Sequence, residues 1–183
     1  MDIVTFIIPS KGRPSLSNTI ESLKNQSKNI WKAIIIFDGI NPTIIEHDSR
    51  ITIMTIEKKG RLNYAAQVRN AGILKVNTKW VAFVDDDDRL TEDYLERFEQ
   101  EVKKNSDIII FRMVSNNQII PPFEHTDFIK DNVGISFAAK TSLFKNDNFW
   151  FEESRTEDFD LLDRFRSNGK YIILSKYITY IVR

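Results

Sequence analysis

No cysteine occurs among the 183 residues, which excludes a disulfide framework, a zinc–thiolate site and a thiol nucleophile. Only two histidines are present, His47 and His125, and they lie too far apart in sequence to show ligand-like spacing. Both read as surface or turn residues. An excess of one charge sign is also missing, since 26 Lys and Arg balance 26 Asp and Glu. That removes the electrostatic argument for a general nucleic-acid binder, although it leaves room for a local basic patch. No stretch approaches the ~20 apolar residues of a membrane span. The opening run from Met1 to Ile8 has an acidic start and is too short in apolar residues for a signal peptide. The expected compartment is therefore the cytosol.

What is present is ordinary for a globular protein. Hydrophobic residues make up 42% and charged residues 28%, which argues against extended disorder. The length suits a single domain with a real core, and no repeat, low-complexity tract or linker divides it.

The first half alternates strand-like and helix-like patterns. Ile3–Ile8 is a continuous apolar run ending at Pro9, as expected for a strand buried on both faces. Pro14 and Ser15 then open a helix with Leu16, Ile20 and Leu23 on one face. Ala33–Phe37 is a second buried strand stopped by Asp38-Gly39, and Ile51–Ile56 is a third. A helix is predicted from Leu62 to about Val76, and Lys79–Val84 is the next strand. Thr91 is placed as N-cap of a helix burying Leu95, Phe98 and Val102, with Glu92 and Asp93 in its first turn. Strands alternating with helices in this way predict an α/β fold with a mostly parallel sheet covered on both faces.

The second half is less regular. Asp107–Met113 reads as a strand, Asn116–Asn132 as a loop-rich stretch containing Pro121-Pro122, and Gly134–Phe144 as a mixed segment. Thr156 opens a helix through Phe159, Leu161, Leu162 and Phe165, with Gly169 as its stop. Tyr171–Leu174 and Tyr177–Val182 read as two short terminal strands.

Directly after Trp80-Val81-Ala82-Phe83-Val84 come four consecutive aspartates, Asp85 to Asp88. Like charges packed this closely repel, and more strongly at a partly dry strand end than in bulk water. If the strand continues, Asp85 and Asp87 share one side and Asp86 and Asp88 the other. Hard oxygen ligands on one side suit Mg2+ or Mn2+ together with substrate phosphates. A solvated acidic turn before the next helix accounts for the same residues. Position adds weight to the first reading, because Pro9-Ser10, Asp38-Gly39 and the aspartates all fall at strand carboxyl ends, where parallel sheets bind ligands.

The segments Phe6–Pro14, Ile34–Gly39, Val68–Ile73, Trp80–Asp88 and Thr156–Leu161 resemble, in this order, glycosyltransferase family 2. They span residues 3 to about 165. The resemblance implies one GT-A type, Rossmann-like domain over 1–183, with a mostly parallel central sheet and a short mixed C-terminal part. It implies a nucleotide-binding half over about 1–115 and an acceptor or catalytic half over about 116–183. It further implies inverting transfer from a nucleotide diphosphate sugar, UDP-sugar favoured, to an acceptor glycan, lipid-linked sugar or other hydroxyl.

By this resemblance Asp87, helped by Asp85, holds Mn2+ or Mg2+ against the diphosphate, and Asp86 lies near the ribose. Pro9, Ser10, Arg13, Asp38 and Arg69 contact the nucleotide. Many relatives carry two acidic residues where this chain has Phe37-Asp38, so one base or ribose contact is missing. Lys59 and Gly60 are weaker candidates for the same nucleotide. Asp158 is the general base, kept ionised by its helix dipole, and Glu157 supports it or orients the acceptor. Phe149, Trp150 and Phe151 form either core or a sugar-stacking wall. The family usually adds an acceptor-binding region or membrane-associated tail after this core, so a homodimer or partner protein is expected to complete the acceptor site.

Two other readings fit parts of the chain. A haloacid-dehalogenase-type phosphatase also places Asp-x-Asp after an apolar strand and would use Asp85 as nucleophile. Arg89 stands where that family expects Thr or Val, and the motif lies mid-chain rather than on the first strand. A sugar-nucleotide-binding module without turnover would retain everything but the transfer.

Overall fold

The computed structural model describes residues 3–60 and 64–183. Among the described residues, five helices and nine strands run β1 (Val4–Ser10), α1 (Leu16–Lys24), β2 (Trp31–Asp38), β3 (Ile51–Ile56) and α2 (Ala66–Ile73). They continue with β4 (Trp80–Phe83), β5 (Arg89–Leu90), α3 (Tyr94–Val102), β6 (Ile108–Ser115) and β7 (Gln118–Ile120). The chain then forms β8 (Phe137–Lys140), α4 (Thr141–Lys145), α5 (Glu157–Ser167) and β9 (Ile172–Ile181).

One sheet collects all the described strands in the order β3-β2-β1-β4-β8-β6-β9-β5, with β7 paired to β6. The run β3-β2-β1-β4 is parallel throughout. Beyond it β8 pairs antiparallel with both β4 and β6, while β6 and β9 are parallel. The predicted α/β sheet with a mixed C-terminal part is therefore what forms. The apolar runs explain the order, since β1, β2 and β4 are buried almost throughout, whereas edge strand β3 is half-exposed. Strand order reverses at β1, between β2 on one side and β4 on the other. The carboxyl ends of β1 and β4 therefore open a crevice, the place such sheets use for ligands.

Helix α2 sits close to that crevice because its sequence is small-sided. A Cβ on Gly72 would meet Ile36 Cδ1 at 2.8 Å and the Ile7 side chain at 3.0 Å. The predicted start of this helix at Leu62 lies outside the described residues; the helical turns are described from Ala66. At the other end of the chain Gly169, with φ of +69°, stops α5 as its sequence position predicts.

Three expectations are corrected. Helix α3 begins at Tyr94 rather than just after Thr91. The Thr91 hydroxyl donates to Asp93 Oδ1 at 2.6 Å, and the Gln26 side chain, from far upstream, accepts the Leu95 N–H at 3.1 Å. A tertiary cap has replaced the local one. The loop-rich stretch from Asn116 also holds a short strand that was not expected, because Asn116 and Asn117 take φ of 49° and 62° and turn β6 into β7 as a hairpin. The two expected terminal strands are one strand, β9, since Ser175 absorbs the irregularity. Its hydroxyl oxygen accepts the Tyr177 N–H at 3.2 Å and donates to buried Glu101 at 3.1 Å.

Of the aromatic run, Phe151 is core, with its ring 5.1 Å from that of Phe83. Phe149 and Trp150 pack against the core while partly exposed. No helix among the described residues is long and apolar enough to cross a membrane.

Gly72→Val is expected to destabilise the fold by about 1–3 kcal/mol through overpacking against Ile7 and Ile36. A chemical denaturation midpoint equal to that of the wild type would contradict the close approach of α2.

Candidate functional site

The loop after β1 is organised around Asp86. Its buried Oδ2 accepts the Ser10 hydroxyl and the Lys11 N–H, each at 2.9 Å, and its Oδ1 accepts Arg13 Nη1 at 2.7 Å. A desolvated carboxylate needs such partners, and here three of them bend the loop over it. Gly12, at φ of +73°, supplies the left-handed turn, and its N–H reaches the Ser10 hydroxyl. Ser10, Arg13 and Asp86 are therefore brought together. Asp86 itself holds the loop and turns little of its carboxylate outward.

The four aspartates form a turn, because β4 ends at Phe83 and the Asp88 N–H reaches the Asp85 carbonyl at 3.1 Å. The turn still sorts them as strand alternation would. Asp85 and Asp87 are 38% and 29% exposed at the side chain, whereas Asp86 and Asp88 are buried. The outward pair is held by arginines, Asp85 by Arg69 at 2.7 Å and Asp87 by Arg13 at 3.0 Å. Burial pushes Asp88 up to about 6, aided by the Asp85 charge and opposed by a hydrogen bond from Tyr180.

Asp38 ends β2 and points into the same crevice. Its carboxylate accepts the backbone N–H groups of Lys59 at 2.6 Å and Gly60 at 3.0 Å, so it fastens the loop after β3. The Asp38-Gly39 pair is also a turn, with Gly39 at φ of +73°. Structural and cavity-lining roles coexist at this residue.

Arg69 joins the two halves of the chain. Its buried guanidinium contacts Asp85 through Nη2 and Glu157 through Nη1, and lies 3.8 Å from Asp158. Burial opposes its charge, but Asp85, Asp158 and Glu157 together hold it firmly protonated. Glu157 is buried, and its carboxylate is already engaged. Its carboxylate accepts the Ala65 and Ala66 N–H groups, each at 3.2 Å, and so caps the N-terminus of α2, which has no cap of its own.

Asp158 is different from every other carboxylate here. Its side chain is 23% exposed, yet Oδ1 is buried without a hydrogen-bond partner. The helix dipole was expected to keep it ionised. Instead burial pushes its pKa up to about 7, with Arg69 opposing and Asp85 and Glu157 adding to the rise. A cavity-lining carboxylate with a pKa near neutrality can take a proton from a hydroxyl.

Two adjoining cavities frame these groups. One of about 290 Å³ is lined by Pro9, Ser10, Arg13, Asp38, Asp85 and Asp87 together with Arg69. The second, about 370 Å³, is lined by Asp158, Glu157, Thr156 and Asp131, and shares Tyr64, Arg69 and Asp85 with the first. Tyr64, Asp131 and Tyr180 were missed in the sequence. Each stands outside any motif, and only the tertiary fold brings it here.

Among the described residues no group of three or more His, Asp or Glu side chains is arranged to hold a metal by itself. Mg2+-type ions usually take one or two carboxylates and complete their shell with water and substrate phosphate. The outward carboxylates of Asp85 and Asp87, in one cavity, fit that demand.

Residues 5–169 match the sequence profile described as Glycosyl transferase family 2. The chain belongs to glycosyl transferase family 2. It is 32% identical over 98 residues to EpsH of Bacillus subtilis (strain 168), named as a glycosyltransferase, covering 50% of this chain and 27% of EpsH. It is 30% identical over 103 residues to TuaG of the same organism, a glycosyltransferase named for teichuronic acid biosynthesis, covering 52% and 40%. Among solved structures it resembles residues 1–349 of S. aureus TarS in complex with UDP. There the TM-score is 0.78 and the identity 18%, over 98% of this chain and 60% of that one. The TarS complex with UDP-GlcNAc gives 0.77 and 16%, over 100% and 58%. This family 2 chain thus spans between about a quarter and three fifths of the length of these relatives. Family membership removes the phosphatase alternative, and Asp85, bonded to Arg69, is not placed as a free nucleophile.

An acid whose folded pKa is raised stabilises the fold while protonated, and loses that contribution as pH rises through its folded value. For Asp158 this window runs from about 4 to about 7. Asp158→Asn is therefore expected to raise Tm at pH 8 and to bring little gain near pH 4. A Tm difference independent of pH would contradict the raised pKa.

Proposed function

We propose that this chain is a metal-dependent inverting glycosyltransferase. It moves a sugar from a nucleotide diphosphate sugar, UDP-linked, to an acceptor hydroxyl, with Asp158 as general base. The observation that carries the reading is Asp158 in the wall of the second cavity, its Oδ1 without a hydrogen-bond partner and 3.8 Å from Arg69, which links it to Asp85. The names of EpsH and TuaG as glycosyltransferases, and the UDP and UDP-GlcNAc complexes of TarS, support the same class of reaction.

In this reading the nucleotide occupies the cavity of Pro9, Ser10, Arg13 and Asp38. Asp87, with Asp85, would hold Mn2+ or Mg2+, which when bound neutralises charge on the departing diphosphate. Arg69 and Arg13, already paired with these carboxylates, add fixed positive charge beside the same phosphates. The acceptor, a glycan, lipid-linked sugar or other hydroxyl compound, enters through the cavity of Thr156 and Asp158. Its oxygen bonds to the anomeric carbon as the bond to the diphosphate oxygen breaks, and its proton passes to Asp158. Attack from the face opposite the leaving group inverts the centre. Glu157 contributes by fixing Arg69 and α2 rather than by touching the acceptor. A second copy of the chain or a partner protein would complete the acceptor site.

UDP with Mn2+ is expected to raise the Tm together, the gain following ligand linkage at about 2.7 kcal/mol for ligand at 100 times Kd. No shift with any nucleoside diphosphate and Mn2+ would remove the transferase reading. Asp87→Ala should lose the Mn2+-dependent part of the shift. Asp158→Asn should keep the shift while turnover falls roughly 10²–10⁴-fold. Wild-type protein that binds donors and turns over none of them, across a panel of acceptors, would identify a binding module instead.

A further inference from the structure

The turn that presents Asp85 and Asp87 is held from behind by a residue at the far end of the chain. Tyr180 lies on β9 opposite Leu90 of β5, the second residue after the turn. It is 1% exposed, and its hydroxyl is used in both directions. It accepts the Asp85 N–H at 3.1 Å and donates to Asp88 Oδ2 at 2.8 Å. One oxygen atom therefore ties the first residue of the turn to the last.

Packing alone does not account for this group, because phenylalanine would fill the same space without a hydroxyl that needs partners. The remaining grips come from other elements. The Thr19 hydroxyl donates to the Asp88 carbonyl at 2.7 Å, the Ser15 hydroxyl to the Asp86 carbonyl at 3.1 Å, and the Arg183 N–H to Asp88 Oδ1 at 3.1 Å. Helix α1 thus holds one side of the turn and β9 the other. Neither Tyr180 nor Asp88 lines the cavity where Asp85 and Asp87 emerge. We propose that Tyr180 is a positioning residue, whose hydroxyl sets the turn so that Asp85 and Asp87 meet one cation together. This rests on the transferase reading above. Without the hydroxyl, the part-buried Asp85 N–H loses its partner, and the turn relieves that by shifting or opening to water. The separation of the two outward carboxylates then becomes loose while the sheet stays intact.

Tyr180→Phe tests this by calorimetric titration of UDP with and without Mn2+, alongside amide hydrogen exchange at Asp85. Ser175→Ala is the control, since it removes another buried hydroxyl from β9, one that bonds Glu101 away from the turn. Tyr180→Phe is expected to stay folded, to exchange the Asp85 amide faster, and to lose about tenfold in Mn2+-dependent UDP affinity. Its affinity for UDP without metal should match that of the wild type, and Ser175→Ala should bind like the wild type throughout. If Tyr180→Phe does not fold, Asp88→Ala leaves the Asp85 N–H bonded to the hydroxyl but frees that hydroxyl from its anchor at the end of the turn, and is expected to give a smaller loss in the same Mn2+-dependent affinity. Wild-type Mn2+-dependent affinity in the substituted protein, or an equal loss in Ser175→Ala, overturns the proposal and leaves the transferase reading standing. A wild-type protein that binds no nucleotide with Mn2+ overturns that reading first, and the proposal with it.

Discussion

The site depends on one buried cation. Six carboxylates, from Asp85 to Asp88 and from Glu157 to Asp158, converge from two stretches of chain some 70 residues apart. Left to themselves they would repel, and most strongly in the dry part of the crevice. Arg69 is what lets the two stretches face each other, with Asp85 on one end of its guanidinium and Glu157 on the other. Because α2 carries Arg69, the packing of α2 on the sheet also becomes a requirement of the site. Gly72 allows that packing, and Glu157 in turn caps the helix that carries Arg69.

This closed circuit divides the carboxylates by task. Asp86, Asp88 and Glu157 are buried and spend their oxygens on backbone or side-chain donors. Asp85 and Asp87 face the cavity, and Asp158 keeps an oxygen without a partner. Acidic residues that look equivalent in the sequence thus differ in how much of their hydrogen-bonding capacity has already been taken.

That difference marks what could be read in advance. The buried strands β1, β2 and β4 were legible because a strand covered on both faces is apolar at every position. The stop at Gly169 was legible because a left-handed residue after a helix favours glycine. Strand ends pointed to Ser10, Asp38 and Asp85 to Asp87, whereas Arg13 and Arg69 came from the family resemblance. The start of α3 was not legible, since its cap comes from Gln26, 69 residues upstream. Nor was the capping role of Glu157, whose partners are backbone groups of another helix. A raised Asp158 pKa needed the burial and neighbours that only the folded chain supplies. Sequence patterns report local periodicity and composition; long-range hydrogen bonds leave no such trace.

The clasp between Tyr180 and Asp88 also orders events in time. These residues are 92 positions apart, so a chain emerging from the ribosome exposes its acidic segment long before the phenol that braces it exists. The parallel strands β1 to β4 can pair during that interval, because all of them precede Tyr180. The hydroxyl that braces the acidic turn is thus supplied by a strand made after the four parallel strands beside that turn.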